Sequence, residues 1–436
     1  MSQNVDRRLF LQAAGATILG ATAFALAGCA PTASSSGASK VRVAWWGGDV
    51  RHAKYNKIYD LYESRHKGVT IKREFADWPS YWERLPTQFA GGNAPDVLHL
   101  TERQVGDYAS RDQLLDLREL ERKGLLDLQY FSEAALGGGT YQGTLVELLV
   151  GATIPATLFN TALFEKAGIS EPKAGWSWDE FADKAVKLSK MLPEGSYGST
   201  YNVIAAPLFD TALLQDGKSL FAPDGSAELN FDAKDAEDWF ARWKDLLDAG
   251  GCLPAEMMAE ENGGPFEDSS FARGTAAMHV QNSNQLVTMQ TAVGKDELHI
   301  VESPRIGKVS RAMVMGSYVS INANSKVIEE SAKIVDFFVN DPEANKVFGM
   351  ELGTPGNSNW AKAIDVDLAE VDRRVLDFSK QVEDISVFAT ARPAGSSRSE
   401  TLMDELGLAV GFGQLSPADA GTRLVDELAI AIKQAQ

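Results

Sequence analysis

Two hydrophobic rhythms alternate along the first part of the chain. Val41, Val43 and Trp45 fall at every second position, the period of a half-buried strand, and the run ends at Gly47-Gly48. Over residues 53–66 the period lengthens, with Ile58, Leu61 and Tyr62 at helical spacing. Val69, Ile71 and Phe75 return to alternation. Tyr81, Leu85 and Phe89 mark the face of a further helix that Gly91-Gly92-Asn93 terminates, and Pro95-Asp96-Val97-Leu98 opens another strand. Strand and helix alternating within roughly sixty residues predict a parallel α/β sheet.

The middle of the chain reads as more helical. Ser177-Trp178-Asp179-Glu180 is a capping box, followed by Phe181, Ala185, Leu188 and Leu192 on one apolar face. Trp239 and Trp243, four apart on a helix, read as core. Pro223-Asp224-Gly225 is a turn between short β-like segments. Val314–Ile321 reads as a strand and residues 326–340 as a helix. Ser416-Pro417 supplies the N-cap and first position of a final helix that buries Leu424, Leu428 and Ile432.

The first forty residues follow another logic. Met1–Arg8 is a short charged stretch and residues 9–26 are apolar but rich in Ala and Gly, a secretory signal rather than a membrane span. Asp6-Arg7-Arg8-Leu9-Phe10-Leu11-Gln12 resembles a twin-arginine export signal. Leu26-Ala27-Gly28-Cys29 resembles the lipobox of bacterial lipoproteins, in which the cysteine is acylated and the chain is cut just before it. Residues 1–28 are thus expected to be a signal peptide, and residues 29–40 a lipid anchor with a flexible tether of small polar residues.

Composition narrows the partners. The 436 residues carry 42 Lys and Arg against 60 Asp and Glu, a net charge of −18, which argues against nucleic acid or an anionic membrane surface as the partner. Loss of residues 1–28 leaves 408 residues at −19. Cys252 is then the one thiol free for side-chain chemistry, so no intramolecular disulfide and no multi-cysteine zinc site is expected. The chain has no GxxxxGK[ST] phosphate loop, no GxGxxG opening a helix and no GxSxG elbow. No catalytic residue, metal or cofactor is expected.

Five segments occur in one order. They are Val43–Asp49 with Arg51-His52; Leu85 to Val97 with its Gly-Gly-Asn-Ala-Pro-Asp-Val run; Leu158-Phe159-Asn160 through Phe164–Ile169 to Trp176–Phe181; Phe271–Met278; and Phe337-Phe338 with Asp341–Ala344. Together they resemble the carbohydrate-binding, maltodextrin-binding-protein-like class of bacterial ABC-transporter solute-binding proteins. The resemblance implies an α/β, two-lobed periplasmic-binding-protein type II fold, its cleft lying between lobes joined by hinge strands. The expected lobes are 41–151 plus 315–352, and 152–314 plus 353–436. It implies a non-enzymatic receptor, exported and lipid-anchored to the outer face of the cell membrane or periplasmic, that captures a mono- or oligosaccharide and delivers it to ABC permease subunits. A monomer is expected. Rival readings are an exported glycoside hydrolase or lyase, and a receptor of the same fold for a non-sugar solute.

Sugars show hydroxyls at their edges and weakly apolar C–H faces, so their sites pair aromatic platforms with planar polar groups. Trp45 and Trp46 cannot face the same side of a strand, and Trp46, at the strand end, is favoured for the ligand. Asp49 and Arg51 are hydroxyl partners or a solvated loop pair. Trp78 is off the apolar stripe of its helix and so belongs to a cleft or a surface patch. Glu102 follows the third strand, near where relatives place a sugar-binding acid. Asn282 and Asn284 stand where relatives often carry a tryptophan. Tyr318, Trp360 and Arg392 complete the candidates, with the core as the alternative place for Tyr318 and Trp360.

Overall fold

Ser39–Trp46 alternates its side chains across two clusters. Val41, Val43 and Trp45 enter one with the buried face of the helix Asp49–Arg65, while Ala44 and Trp46 enter another with Tyr81 and Leu85. The strand pairs in parallel with Val69–Ala76, from Ser39 opposite Val69 to Trp46 opposite Ala76, and with Val97–Leu100 on its other side. The computed structural model describes residues 39–436 except 223–225, 263, 266–267, 295 and 365–367. The export signal, Cys29 and the Pro223-Asp224-Gly225 turn lie outside the described residues.

The first sheet runs in the order Thr354–Pro355, Leu148–Thr153, Ala312–Ile321, Val97–Leu100, Ser39–Trp46, Val69–Ala76, with Ser386–Phe388 paired to the start of Ala312–Ile321. Ser39–Trp46, Val69–Ala76 and Val97–Leu100 are the parallel strands that alternation indicated, and Ser386–Phe388 adds a further parallel pairing to Ala312–Ile321. Ala312–Ile321 enters antiparallel, against Val97–Leu100 and against Leu148–Thr153. The second sheet is Leu298–Glu302, Pro155–Asn160, Ala276–Asn282 and Tyr197–Ser199.

Leu148–Thr153 passes through Ile154 directly into Pro155–Asn160, so one run of chain belongs to both sheets. The chain returns from Glu302, in the second sheet, to Ala312 in the first. Two α/β lobes joined by hinge strands result, and the described chain still forms one compact unit.

The second lobe holds its helices around a core that includes Trp178, Phe181, Trp239 and Trp243. The capping box of the helix Trp178–Met191 is present in full: Ser177 N donates to Glu180 Oε2 at 2.7 Å, and Glu180 N to Ser177 Oγ at 3.2 Å. A further box, between Asp232 and Asp235, starts the helix Ala233–Asp248. Pro417–Ala435 closes the chain, capped by Ser416, with Leu424, Leu428 and Ile432 buried. Cys252 is a free, buried thiol beside Tyr197–Ser199, and burial pushes its pKa well above the usual thiol value. Replacing Ser177 with Ala removes one half of its box and is expected to cost about 1 kcal/mol in a urea titration followed by circular dichroism.

Candidate functional site

The parallel strands of the first sheet end at Trp46 and Leu100, and open α/β sheets place ligands beyond such ends. Trp46 there meets three aromatic rings from the next helix. Trp78 stands edge-on to it at 5.2 Å, Trp82 is tilted at 5.4 Å, and Tyr81 lies at 5.5 Å. Asp77 caps this helix, Trp78 is its first residue and Pro79 its second, which fixes Trp78 at the first turn. Trp45 faces away, stacked on Tyr55 at 4.7 Å.

Just past Leu100 come Glu102 and Arg103. Glu102 is fully buried, and its Oε2 accepts from Gly316 N at 3.0 Å. The carboxylate thus takes the place of a strand partner where Val97–Leu100 has ended. The Arg103 guanidinium lies over Trp78 at 5.1 Å and pairs with Glu400 on a second-lobe helix. Burial works against the Arg103 charge, but Glu400 and Glu102 outweigh it and hold its pKa above the ordinary value.

Residues 392–397 strap onto this corner. Arg392 N donates to Glu102 O at 2.9 Å, Ser396 Oγ to Arg103 O at 2.9 Å, and Gly395 N to Asp107 Oδ1 at 2.7 Å. Gly106 makes the approach feasible, since a Cβ there would lie 2.2 Å from Arg392 O. The Arg392 side chain turns the other way. Its Nη2 donates to Asp210 Oδ2 at 2.8 Å, and Asp210 sits on a second-lobe helix. Arg103 therefore reaches from the first lobe to an acid of the second, while Arg392 holds Glu102 of the first lobe through its backbone and Asp210 of the second through its side chain.

The other candidates lie elsewhere. Asp49 is exposed at the first turn of its helix. Arg51 is buried and bonded through Nε to Glu351 Oε1 at 3.2 Å. Asn284 donates to the Glu351 carbonyl at 3.0 Å and accepts from Thr153 Oγ1 at 3.0 Å, so Arg51 and Asn284 converge on one residue at the lobe junction. Asn282 is half-buried at the end of its strand, opposite Pro155. Trp360 packs among Phe271, Leu286, Met289 and Met350 in a core cluster. Tyr318 is wholly buried in the first lobe, its hydroxyl unpartnered.

The sequence reading passed over Arg103, Glu400, Asp210 and Glu147. Glu147 interrupts the apolar run Leu145–Val150, and a lone acid in such a run is a visible signal. Both its carboxylate oxygens are buried without a partner. Burial first, and then the charge of Glu102, raise its pKa well above the carboxylate range. Among the described residues no cluster of His, Cys, Asp and Glu is placed to hold a metal ion, and no helix is long and apolar enough to cross a membrane.

Two α/β sheets on hinge strands, with aromatic rings and paired charges where the lobes meet, define a clamp-type binding protein. The chain belongs to the family of bacterial extracellular solute-binding proteins, whose pattern it matches over residues 57–368. It is 30% identical over 184 residues to an uncharacterized lipoprotein of Streptomyces antibioticus, a match that covers 40% of this chain and 38% of that one; the chain thus spans under half of that relative's length. A Brucella abortus protein provisionally named a binding protein is 28% identical over 341 residues, 76% of this chain and 79% of that one. Among solved structures, the oligogalacturonide-binding protein of Yersinia enterocolitica in complex with saturated digalacturonic acid superposes with a TM-score of 0.80 at 19% identity, covering 91% of this chain and 99% of that one. An ABC substrate-binding protein of Listeria monocytogenes in complex with cycloalternan gives 0.77 at 20%, covering 89% and 98%.

The Glu147 carboxyl sets a pH dependence. Its folded pKa lies above its unfolded one, so its destabilising effect is absent below the unfolded value and grows as pH rises toward the folded value. Glu147→Gln removes that slope. The variant is expected to gain in melting temperature over the parent as pH goes from about 5 to about 8, read by scanning calorimetry across that range.

Proposed function

We propose that this protein is the exported, lipid-anchored receptor of an ABC sugar importer. It captures a mono- or oligosaccharide between its lobes and presents it to permease subunits, which read the closed form. It breaks no bond, needs no cofactor, binds no nucleic acid and acts as a monomer. The observation that carries the reading is the corner where Trp46 and Trp78 stand beside Glu102, Arg103 and Arg392, in a chain of a solute-binding family. Aromatic edges and faces suit sugar C–H surfaces, and planar charged groups suit hydroxyls. The carbohydrate complexes of the Yersinia and Listeria proteins support the same ligand class.

Residues 41–151 with 315–352 would form one lobe, and 152–314 with 353–436 the other. Trp46, Trp78, Glu102 and Arg392 are the central ligand residues of this reading. Arg51 and Asn284 act at the lobe junction, and Asp49, Asn282, Tyr318 and Trp360 are outlying candidates. The signal resembling a twin-arginine leader directs export, and acylated Cys29 holds the globule at the membrane on its tether. The lipoprotein name of the Streptomyces relative supports the anchor.

Two measurements test this. Cys29→Ser is expected to move the protein from the membrane fraction to the medium or periplasm; unchanged retention would sink the anchor. A sugar present at 100 times its dissociation constant adds about 2.7 kcal/mol of stability, several degrees of melting temperature. A thermal-shift panel of mono- and oligosaccharides is expected to give at least one such hit, with the sugar recovered intact after overnight incubation. Recovery as cleaved sugar would instead establish an enzyme.

A further inference from the structure

Behind the seam, three polar side chains of the first lobe are buried with too few donors among them. Glu147, Glu102 and Tyr318 are each shut off from solvent. Both carboxylate oxygens of Glu147, Oε1 of Glu102 and the Tyr318 hydroxyl have no hydrogen-bond partner. Glycines let them gather. A Cβ on Gly138 would lie 2.5 Å from the Tyr318 hydroxyl and one on Gly316 2.6 Å from it, while one on Gly139 would lie 3.4 Å from Glu147 Cγ. Gly316 N is also the donor to Glu102 Oε2, at 3.0 Å. The Tyr318 hydroxyl thus sits between the glycine pair beside Glu147 and the glycine that holds Glu102.

Counting donors decides what charge the group can carry. With both acids ionised, three orphan carboxylate oxygens would share one phenolic proton, and two buried negative charges would stand together. A proton kept on one acid supplies a second donor and removes one charge. Glu147 is the acid that keeps it. Glu102 has the Gly316 N–H on one oxygen and the Arg103 guanidinium 3.7 Å from the other, so its negative charge is answered. Neither oxygen of Glu147 has a donor, and burial and then the Glu102 charge both work against its ionised form. The other charged groups nearby are turned elsewhere. Arg392 has an unpartnered Nη1, but its side chain runs to Asp210 and over the Phe221 ring of the second lobe. Glu133, on the helix that ends at Gly138, is exposed.

We propose that Glu147, Tyr318 and Glu102 form a buried proton site: Glu147, as a carboxylic acid, donates to the Tyr318 hydroxyl, and that hydroxyl donates to Glu102 Oε1, each directly or across one water. The inference goes beyond the receptor reading and does not depend on which solute the lobes take. It makes Glu147 and Tyr318 positioning residues for the seam. Arg103 stands between Glu102 on its own lobe and Glu400 on the other. A second negative charge behind Glu102 would draw the guanidinium back from Glu400, and the retained proton leaves it to hold the other lobe.

Infrared spectroscopy of the purified full-length protein at pH 8 tests the site. Ordinary carboxyl groups, with pKa values of about 4, are ionised there. So is Asp404, an acid that burial pushes up to about 6. A carboxylic-acid C=O band is expected to persist in the parent and to vanish in Glu147→Gln. In Tyr318→Phe, which keeps the ring, the band is expected to remain but to move to higher frequency, because the acid has lost its acceptor. That shift also assigns the band where Glu147→Gln does not fold. In Glu102→Gln the band is expected to titrate away at lower pH than in the parent, which a merely structural role of Glu102 would not produce. Absence of an acid band from the parent at pH 8, or its survival in Glu147→Gln, overturns the inference. A band unmoved in Tyr318→Phe takes Tyr318 out of the site and overturns it as well.

Discussion

The run Leu148–Asn160 has to satisfy its backbone in two sheets at once, and the arrangement of the lobes follows from how it does so. Thr153 is the last residue of the first sheet and Pro155 the first of the second, leaving Ile154 as the whole of the joint. Its peptide is held from the side, since Ile154 N donates to Ser283 Oγ at 3.1 Å and Ser283 N donates to Ile154 O at 2.8 Å. Thr153 hydroxyl, Asn284 amide, Glu351 carbonyl and Arg51 continue outward in one chain of polar contacts. Buried backbone groups cannot be left unpaired, so the joint can bend only by trading these side-chain bonds for others.

The corner that faces the joint works by a different economy. The Arg103–Glu400 pair spans the lobes and the Arg392–Asp210 pair lies beside it, both in largely dehydrated surroundings, where attraction barely recovers the loss of water. Such pairs contribute little net stability, but they penalise any arrangement that separates them without giving each charge a new partner. The aromatic cluster around Trp46 is stiff by comparison, built from rings with few rotamers. A rigid platform on one side and exchangeable charge pairs on the other are what a clamp needs.

How far the sequence carried can be argued from particular residues. The parallel strands, the opposite faces of Trp45 and Trp46, the box at Ser177 and the buried stripe of the last helix were all legible, because each rests on contacts within a few positions or on a strict period. Glu102 and Arg392 drew attention from their surroundings. Their meeting did not, since the two are almost three hundred positions apart and neither lies on a periodic pattern. Arg103 was hidden by Glu102, its more conspicuous neighbour. Glu400 and Asp210 read as ordinary helical acids, and only the folded chain shows that each answers a guanidinium distant in sequence, Glu400 that of Arg103 and Asp210 that of Arg392. Arg51 and Asn284 were singled out for a ligand, and the fold gives both of them to Glu351.

Cys252 carries a consequence of its own. It is the only cysteine among the described residues, buried beside Tyr197–Ser199 with its thiol held protonated by its apolar surroundings. Rocking of the lobes about Ile154 leaves that site covered, because strand and cysteine belong to the same lobe. An alkylating reagent therefore reaches the sulfur only when the second lobe itself comes apart. The rate of labelling is a clock for unfolding that opening and closing of the clamp does not start, and it separates loss of structure from function in a single chain.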